Sequence, residues 1–64
     1  MSITFTVPDL ACSACVDTVT KAIQAVDTSA QVKANPKTKQ VEVATTASEA
    51  AIQQAIVEAG YTVA

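Results

Sequence analysis

The first seven residues of the chain alternate between polar and apolar side chains. Ile3, Phe5 and Val7 are the apolar positions, and small polar residues separate them. A period of two predicts a β-strand with one buried face, because successive strand side chains point to opposite sides. Pro8 cannot donate a ladder hydrogen bond, so we predict that the strand ends there and leads into a loop over residues 9–13.

A helical period replaces the alternation after this loop. From about Ala14 to Val26, apolar residues recur three and four positions apart, which is the spacing of an amphipathic helix. The predicted buried positions are Val16, Val19, Ile23 and Val26.

The middle of the chain has the pattern of a hairpin. Residues 29–34 alternate weakly, and Val41 and Val43 alternate more clearly with polar neighbours. The sequence NPKTK at residues 35–39 separates the two segments, and its Pro36 presets the φ angle that a turn needs. We therefore predict two antiparallel strands joined by this turn.

A second helix is predicted to begin after Ser48, a residue type that accepts hydrogen bonds at helix N-termini. Gly60 is predicted to end this helix. Residues 61–64 then form a short final strand, with Val63 facing the core. The predicted buried positions of the second helix are Ile52, Ala55, Ile56 and Ala59.

The resulting order, βαββαβ, is that of an α+β ferredoxin-like sandwich. We expect residues 1–64 to form a single domain in which two helices cover one face of a four-stranded antiparallel sheet. In this topology three connections share one end, namely the loop over residues 9–13, the turn at 35–39 and the turn at Gly60–Tyr61. That end is the candidate site.

Charge and hydropathy exclude two classes of partner. The chain has 64 residues, a net charge of −2, four lysines and no arginine or histidine. Nucleic-acid binding needs a basic face, so we expect no nucleic-acid partner. No apolar run approaches the roughly 18 residues of a membrane span, and because no basic segment precedes the first strand we expect no secretory leader. We therefore expect a cytoplasmic protein without direct membrane insertion, in which thiols stay reduced.

The chain has two cysteines, Cys12 and Cys15, and they stand three positions apart at the start of the first helix. Four interpretations compete: a redox pair, a metal site, a structural disulfide, or two core residues. Cys15 lies at the edge of the predicted buried face, so the core interpretation applies to it more than to Cys12. A helix N-terminus favours the thiolate, which helps a nucleophile and a metal ligand equally.

Ligand number separates these interpretations further. Redox motifs of the thioredoxin type occur in longer chains and usually have a proline between the cysteines, whereas Ser13 and Ala14 stand here. Structural zinc takes four ligands, and Asp9 would raise the available set only to three. Soft thiolates select Cu(I), for which two sulfurs suffice. The ligand count therefore favours Cu(I).

The stretches LACSACVDTVTKAI and AIVEAGY together resemble the heavy-metal-associated domain of copper chaperones and copper-transporting P-type ATPases. The resemblance covers essentially the whole chain. It implies a non-enzymatic carrier in which Cys12 and Cys15 bind Cu(I). It also implies delivery by docking to the soluble metal-binding domain of a copper-transporting P-type ATPase, with ligand exchange through three-coordinate intermediates. A further assembly to test is a homodimer in which Cu(I) bridges two copies of the chain.

The chain departs from the family pattern just before the first cysteine. The family commonly has glycine three positions and methionine two positions before the first cysteine. Here Asp9, Leu10 and Ala11 precede Cys12. We expect Leu10 to fill the volume of that methionine under the loop. Zinc-transporting members often carry aspartate directly before the first cysteine, so Ala11 favours copper over zinc.

The remaining candidate residues surround the cysteines at the same end of the fold. Tyr61 stands where bacterial copper chaperones often have tyrosine, and it either faces the metal loop or is a half-exposed strand residue. Lys37 and Lys39 either solvate the turn or offset the negative charge of a copper dithiolate and steer an acidic partner. The full set expected to support the site or its docking is Leu10, Ala11, Ser13, Ala14, Tyr61, Lys37 and Lys39.

Three alternatives to a free-standing chaperone stay open from the sequence. The same fold occurs as the N-terminal metal-binding domain of a copper-transporting ATPase, which accepts copper instead of donating it. A small thiol–disulfide redox protein is an alternative from another class. A mercury carrier is chemically close, but such carriers usually work in the periplasm.

Overall fold

The computed structural model describes residues 2–64 of the chain. Its elements, in order, are the strand β1 (Ser2–Thr6), the helix α1 (Ser13–Val26), the strands β2 (Gln31–Asn35) and β3 (Gln40–Ala44), and the helix α2 (Glu49–Glu58). The predicted order of the first five elements is confirmed.

The sheet is antiparallel and has the strand order β1-β3-β2. Phe5 stands opposite Val41, and Val41 stands opposite Ala34, so apolar residues of all three strands share one face. A shift of one residue would turn this row toward solvent, which is why the alternation in the sequence determines the register.

The prediction of a fourth strand is wrong. Residues 61–64 run beside β1, but among the described residues they form no strand. Ala64 N–H donates to the Thr6 carbonyl at 2.9 Å. Thr62 N–H instead donates to the Asp9 carboxylate, at 3.1 and 3.2 Å to its two oxygens. The Thr62 amide therefore bonds a side chain and does not take part in a ladder with β1.

The helix α1 begins one residue earlier than predicted and buries a narrower face. Val19 and Ile23 are fully buried, and Val16 is half-buried against the core. The prediction that Val26 is buried is wrong, because 45% of its surface is exposed. Val26 lines a surface groove between the ends of α1 and α2, which leaves it open to solvent.

The helix α2 has the ends that its sequence predicts. The Ser48 hydroxyl accepts a hydrogen bond from Ala51 N–H at 3.2 Å. Gly60 has a φ of +96°, a left-handed conformation that glycine adopts without strain. The predicted burial of Ile52, Ala55 and Ile56 on α2 is confirmed. Ala59 is only half-buried, at the end of the helix.

The core lies between the two helices and the sheet. It contains aliphatic side chains almost entirely, with Phe5 as its aromatic member. Leu10, from the loop between β1 and α1, is fully buried with them. The loop that carries the cysteines is therefore anchored in the core directly before Cys12.

The hairpin turn is held by Asn35, whose side-chain oxygen accepts a hydrogen bond from Lys37 N–H at 2.9 Å. Lys39 closes the turn with a φ of +64°. A left-handed conformation costs a residue with a β-carbon roughly 1–2 kcal/mol, so glycine would suit this position better. A lysine therefore occupies this position although the local backbone favours glycine.

The three connections predicted to share one end do so. Val7 N–H, just after β1, donates to the Lys39 carbonyl at 2.7 Å. The bond from Thr62 to Asp9 brings the C-terminal turn to the same place. Within residues 2–64, no helix combines the length and apolar character needed to cross a bilayer.

Candidate metal centre

Cys12 is the exposed member of the cysteine pair. It caps the N-terminus of α1, and its Sγ accepts a hydrogen bond from Cys15 N–H at 3.2 Å. The extended backbone of Cys12, with φ −150° and ψ 166°, is the usual conformation at a helix cap. Its sulfur therefore lies over the first turn of α1, on the side of Cys15.

Cys15 is half-buried and packs against the edge of the hydrophobic core. The interpretation of Cys15 as a core residue is thus correct for the side that packs on the core, while the other side of Cys15 is accessible to solvent. Both cysteines are free thiols. The pair thus combines an exposed sulfur, that of Cys12, with a partly buried one, that of Cys15.

The pKa of the Cys15 thiol is lowered to about 7. The largest cause is a hydrogen bond from the Cys12 thiol, followed by one from the Tyr61 hydroxyl and one from the backbone of Ala11. Partial burial opposes these hydrogen bonds but does not cancel them. Cys15 is therefore substantially ionised at neutral pH, as a ready metal ligand or a reactive nucleophile must be.

Tyr61 lies against this thiol. The hydrogen bond with Cys15 raises the pKa of the Tyr61 hydroxyl, and partial burial and the charge of Cys15 raise it further. The phenol consequently stays protonated and donates to the sulfur. Of the two interpretations from the sequence, the structure supports the one in which Tyr61 faces the cysteine loop.

The lysines of the hairpin differ from one another. Lys37 is exposed. Lys39 is half-buried, and its Nζ donates to the Leu10 carbonyl at 2.8 Å. The interpretation of both residues as turn-solvating lysines is therefore wrong for Lys39, because its ammonium is bonded to the cysteine loop.

The small residues around Cys12 leave its sulfur open. Ala11, Ser13 and Ala14 are all exposed, and none has a side chain long enough to cover a neighbouring thiol. Leu10 has no exposed surface, so its predicted burial under the loop is confirmed.

Within residues 2–64, the structure brings no histidine or carboxylate to the two thiols as a third ligand. Among the described residues, no three side chains of the types His, Cys, Asp and Glu are grouped so that they could hold a metal ion. Asp9, the oxygen ligand considered from the sequence, binds Thr62 N–H instead. Two sulfurs without a third ligand suit a soft ion of low coordination number better than zinc, which takes four ligands.

Sequence reasoning missed two contributors to this end of the molecule. Asp9 connects the cysteine loop to the C-terminal segment, although its bonding partner Thr62 lies 53 residues away. Thr18 contacts the Tyr61 hydroxyl. A signal for Thr18 was available, because it stands one helical turn after Cys15 on the same side of α1.

The sequence profile of the heavy-metal-associated domain matches residues 4–62. The chain belongs to this family. The match spans both cysteines and Tyr61, so the resemblance read from the two short stretches is confirmed.

Solved structures of heavy-metal-associated proteins superimpose closely on this chain. The copper chaperone Atx1 from Synechocystis, in a copper-bound trimeric form with a histidine-to-tyrosine substitution, is 40% identical. The alignment covers 97% of this chain and 98% of that one, with a TM-score of 0.95. A gold binding protein is 35% identical over 94% of this chain and 92% of its own, with a TM-score of 0.89.

A third structure, the N-terminal domain of PacS from Synechocystis, shares the fold at lower identity. It is 23% identical, over 100% of this chain and 94% of that one, with a TM-score of 0.87. A search of curated proteins gives no match. The heavy-metal-associated fold of the chain is thus established, and its relatives include proteins named for copper and for gold.

Proposed function

We propose that this heavy-metal-associated domain is a copper(I) chaperone that carries its ion between Cys12 and Cys15. The observation that carries the proposal is the pair of free thiols at the N-terminus of α1, with no third ligand among the described residues. The 40% identity to a copper chaperone supports the same assignment. Copper is the cargo of this protein, and no chemical turnover is involved.

The surroundings of the thiols suit a bound cation. Two thiolates and one Cu(I) carry a net charge of −1, and hydrogen bonds to the sulfurs disperse such a charge. Tyr61 and the backbone of Ala11 supply these bonds at Cys15. Because Cys15 is already partly ionised at neutral pH, the ion displaces less than a full proton from it.

The difference in exposure between the sulfurs suits transfer. A partner thiolate reaches a copper ion from the side of Cys12, forming a three-coordinate intermediate with both cysteines. Cys12 then leaves the copper and takes up a proton, while Cu(I) keeps its oxidation state. We propose that the partner is the soluble metal-binding domain of a copper-transporting P-type ATPase, and that exchange takes place in the cytoplasm, where thiols stay reduced.

A competition titration tests the proposal. Reduced protein is titrated with Cu(I) against a chromophoric chelator, and the experiment is repeated in the presence of Zn(II). We expect one Cu(I) per chain, no displacement by equimolar Zn(II), and loss of tight binding in both Cys12→Ser and Cys15→Ser. Ser2→Ala, at an exposed position at the start of β1, is the control and should bind like the wild type. Tight binding by the double cysteine variant would refute the proposal.

Two further measurements separate the alternatives. Size exclusion of the copper-loaded protein distinguishes a monomer from a homodimer bridged by copper through four thiolates. Reduction of insulin by the metal-free protein with dithiothreitol tests the redox alternative. Turnover of the thioredoxin kind would favour a thiol–disulfide enzyme over a carrier.

A further inference from the structure

Lys39 occupies a backbone position that favours glycine. Its φ of +64° lies in the left-handed region, where a β-carbon is strained. The hairpin turn does not need a lysine there, since glycine would close it with less strain. The reason for the lysine therefore lies in what its side chain contacts.

The side chain of Lys39 crosses to the cysteine loop, 29 residues away in the chain. Its Nζ donates to the Leu10 carbonyl at 2.8 Å in a half-buried position. The Lys39 backbone carbonyl also accepts a hydrogen bond from Val7 N–H at 2.7 Å. Lys39 thus holds both ends of the segment from Val7 to Leu10, which leads into Cys12.

The carbonyl that Lys39 holds belongs to the peptide between Leu10 and Ala11. A trans peptide is planar, with its C=O and N–H on opposite sides. Fixing the carbonyl therefore also fixes the direction of the Ala11 N–H, directly before Cys12 in the chain. The Leu10 side chain is fully buried, so this peptide is held both by packing and by the ammonium.

We propose that Lys39 is a positioning residue for the cysteine loop. Its ammonium holds the Leu10–Ala11 peptide so that Cys12 and Cys15 stand ready as a pair before the metal arrives. A charge-assisted hydrogen bond in a half-buried site is stronger than a neutral one, and a preorganised site binds more tightly because less ordering is left to binding. The consequence for metal affinity rests on the proposed function, whereas the positioning of the loop does not.

The test compares Lys39→Gly, Lys39→Arg and Lys37→Gly. Glycine removes the ammonium and relieves the backbone, so Lys39→Gly should still fold. Arginine can donate to the same carbonyl and is the rescue variant. Lys37→Gly removes the same charge from the same turn, but from an exposed side chain. Amide hydrogen exchange of the reduced, metal-free proteins is followed by NMR, and Cu(I) affinity by chelator competition.

In Lys39→Gly we expect the amides of Leu10, Cys15 and Val16 to exchange roughly tenfold faster, since each is hydrogen-bonded within the loop or the first turn of α1. Amides of β3 should be unchanged. Cu(I) affinity should fall about three- to tenfold, with Lys39→Arg close to the wild type and Lys37→Gly losing clearly less than Lys39→Gly.

Two outcomes would overturn the proposal. The first is an unchanged rate of amide hydrogen exchange in the cysteine loop of Lys39→Gly. The second is an equal loss of Cu(I) affinity in Lys39→Gly and Lys37→Gly, because Lys39 would then act only through its charge. If the wild-type chain fails to bind Cu(I), the proposed function fails. The exchange comparison on metal-free protein still decides whether Lys39 positions the loop.

Discussion

Cys15 combines two roles that a cysteine usually takes separately. One side of it packs on the core, and the other receives hydrogen bonds from Cys12, Tyr61 and the backbone of Ala11. Packing holds the sulfur in place, and the hydrogen bonds stabilise its charge. At the scale of single residues, therefore, the site depends on neighbours of the ligands as much as on the ligands.

The ionisation of Cys15 can be measured directly in the reduced, metal-free chain. Its pKa of about 7 predicts half-maximal alkylation by iodoacetamide near neutral pH. Removing the Cys12 thiol in Cys12→Ala removes the largest cause of the lowering, so the midpoint of the pH profile should move upward. Mass spectrometry of the modified peptide gives the rate for each cysteine.

Tyr61→Phe is the companion variant, since the Tyr61 hydroxyl is the second cause of the lowered Cys15 pKa. It should raise the midpoint less than Cys12→Ala does. An unchanged midpoint in Cys12→Ala would contradict the assignment of the Cys12 thiol as the main hydrogen-bond donor to Cys15.

Leu10 is the residue whose packing anchors the cysteine loop. Because its side chain is fully buried, Leu10→Ala should lower the free energy of unfolding by about 2–5 kcal/mol through lost burial and a residual cavity. Leu10→Met conserves volume and should cost less than about 1.5 kcal/mol. Urea unfolding of the reduced protein, followed by circular dichroism, measures both. Equal losses in the two variants would show that side-chain volume at this position is unimportant.

At the scale of elements, the end of α1 is tied to the loop before α2 by Asp27. One carboxylate oxygen accepts from the Thr45 hydroxyl at 2.5 Å, and the other accepts from Ser29 N–H at 3.0 Å. Thr45 is buried, and its hydroxyl also accepts from Ala47 N–H. This network joins the helix to the sheet at the end of the molecule away from the cysteines.

The network makes stability depend on pH. The Thr45 hydroxyl, and then Ser29, hold the pKa of Asp27 below its ordinary value. A carboxyl with a lower pKa in the folded than in the unfolded chain stabilises the fold above its unfolded value of about 3.9, and this contribution is lost as the pH falls through the folded pKa. We therefore expect Asp27→Asn to be less stable than the wild type at neutral pH.

The difference in urea midpoint between Asp27→Asn and the wild type should shrink below about pH 4. Asp17→Asn, at an exposed position of α1 outside this network, is the control for removing a carboxylate charge. A difference that stays constant from neutral to acid pH would contradict the role given to the Asp27 charge.

At the scale of the whole molecule, the C-terminal segment closes the fold without joining the sheet as a strand. It is held by three backbone amides, those of Tyr61, Thr62 and Ala64, which bond Ile56, Asp9 and Thr6 respectively. Val63 packs on the core between them. Tyr61 therefore reaches the cysteine loop from a segment that a few contacts keep in place.

Asp9→Ala tests this closure. Without the carboxylate, the Thr62 amide loses its acceptor, so the amides of Thr62 and Ala64 should exchange faster while those of β3 keep their rates. NMR exchange measures both sets in one experiment. Asp9→Asn keeps an accepting oxygen and should lie between the wild type and Asp9→Ala. Unchanged exchange at Thr62 would contradict the role given to the Asp9 carboxylate in holding the segment.

Much of this architecture follows from local patterns. The alternation of Ile3 and Phe5 predicts β1, the spacing of Val19 and Ile23 predicts α1, and the type of residue at Ser48 predicts where α2 begins. These features involve residues within a few positions of one another, so short-range stereochemistry and burial determine them. The cysteine pair and its place at a helix N-terminus are determined in the same way.

What only the tertiary structure decided involves residues far apart in the chain. The bond from Lys39 to Leu10 spans 29 residues and the bond from Asp9 to Thr62 spans 53; the second takes up an amide of the segment that was predicted to be a strand. The exposure of Val26 likewise depends on how the ends of α1 and α2 pack, since Val26 lines the groove between them. The sequence by itself determined the first five elements and the pair of thiols. The packing of distant segments decided which side chains hold those thiols, because such contacts have no local signal in the chain.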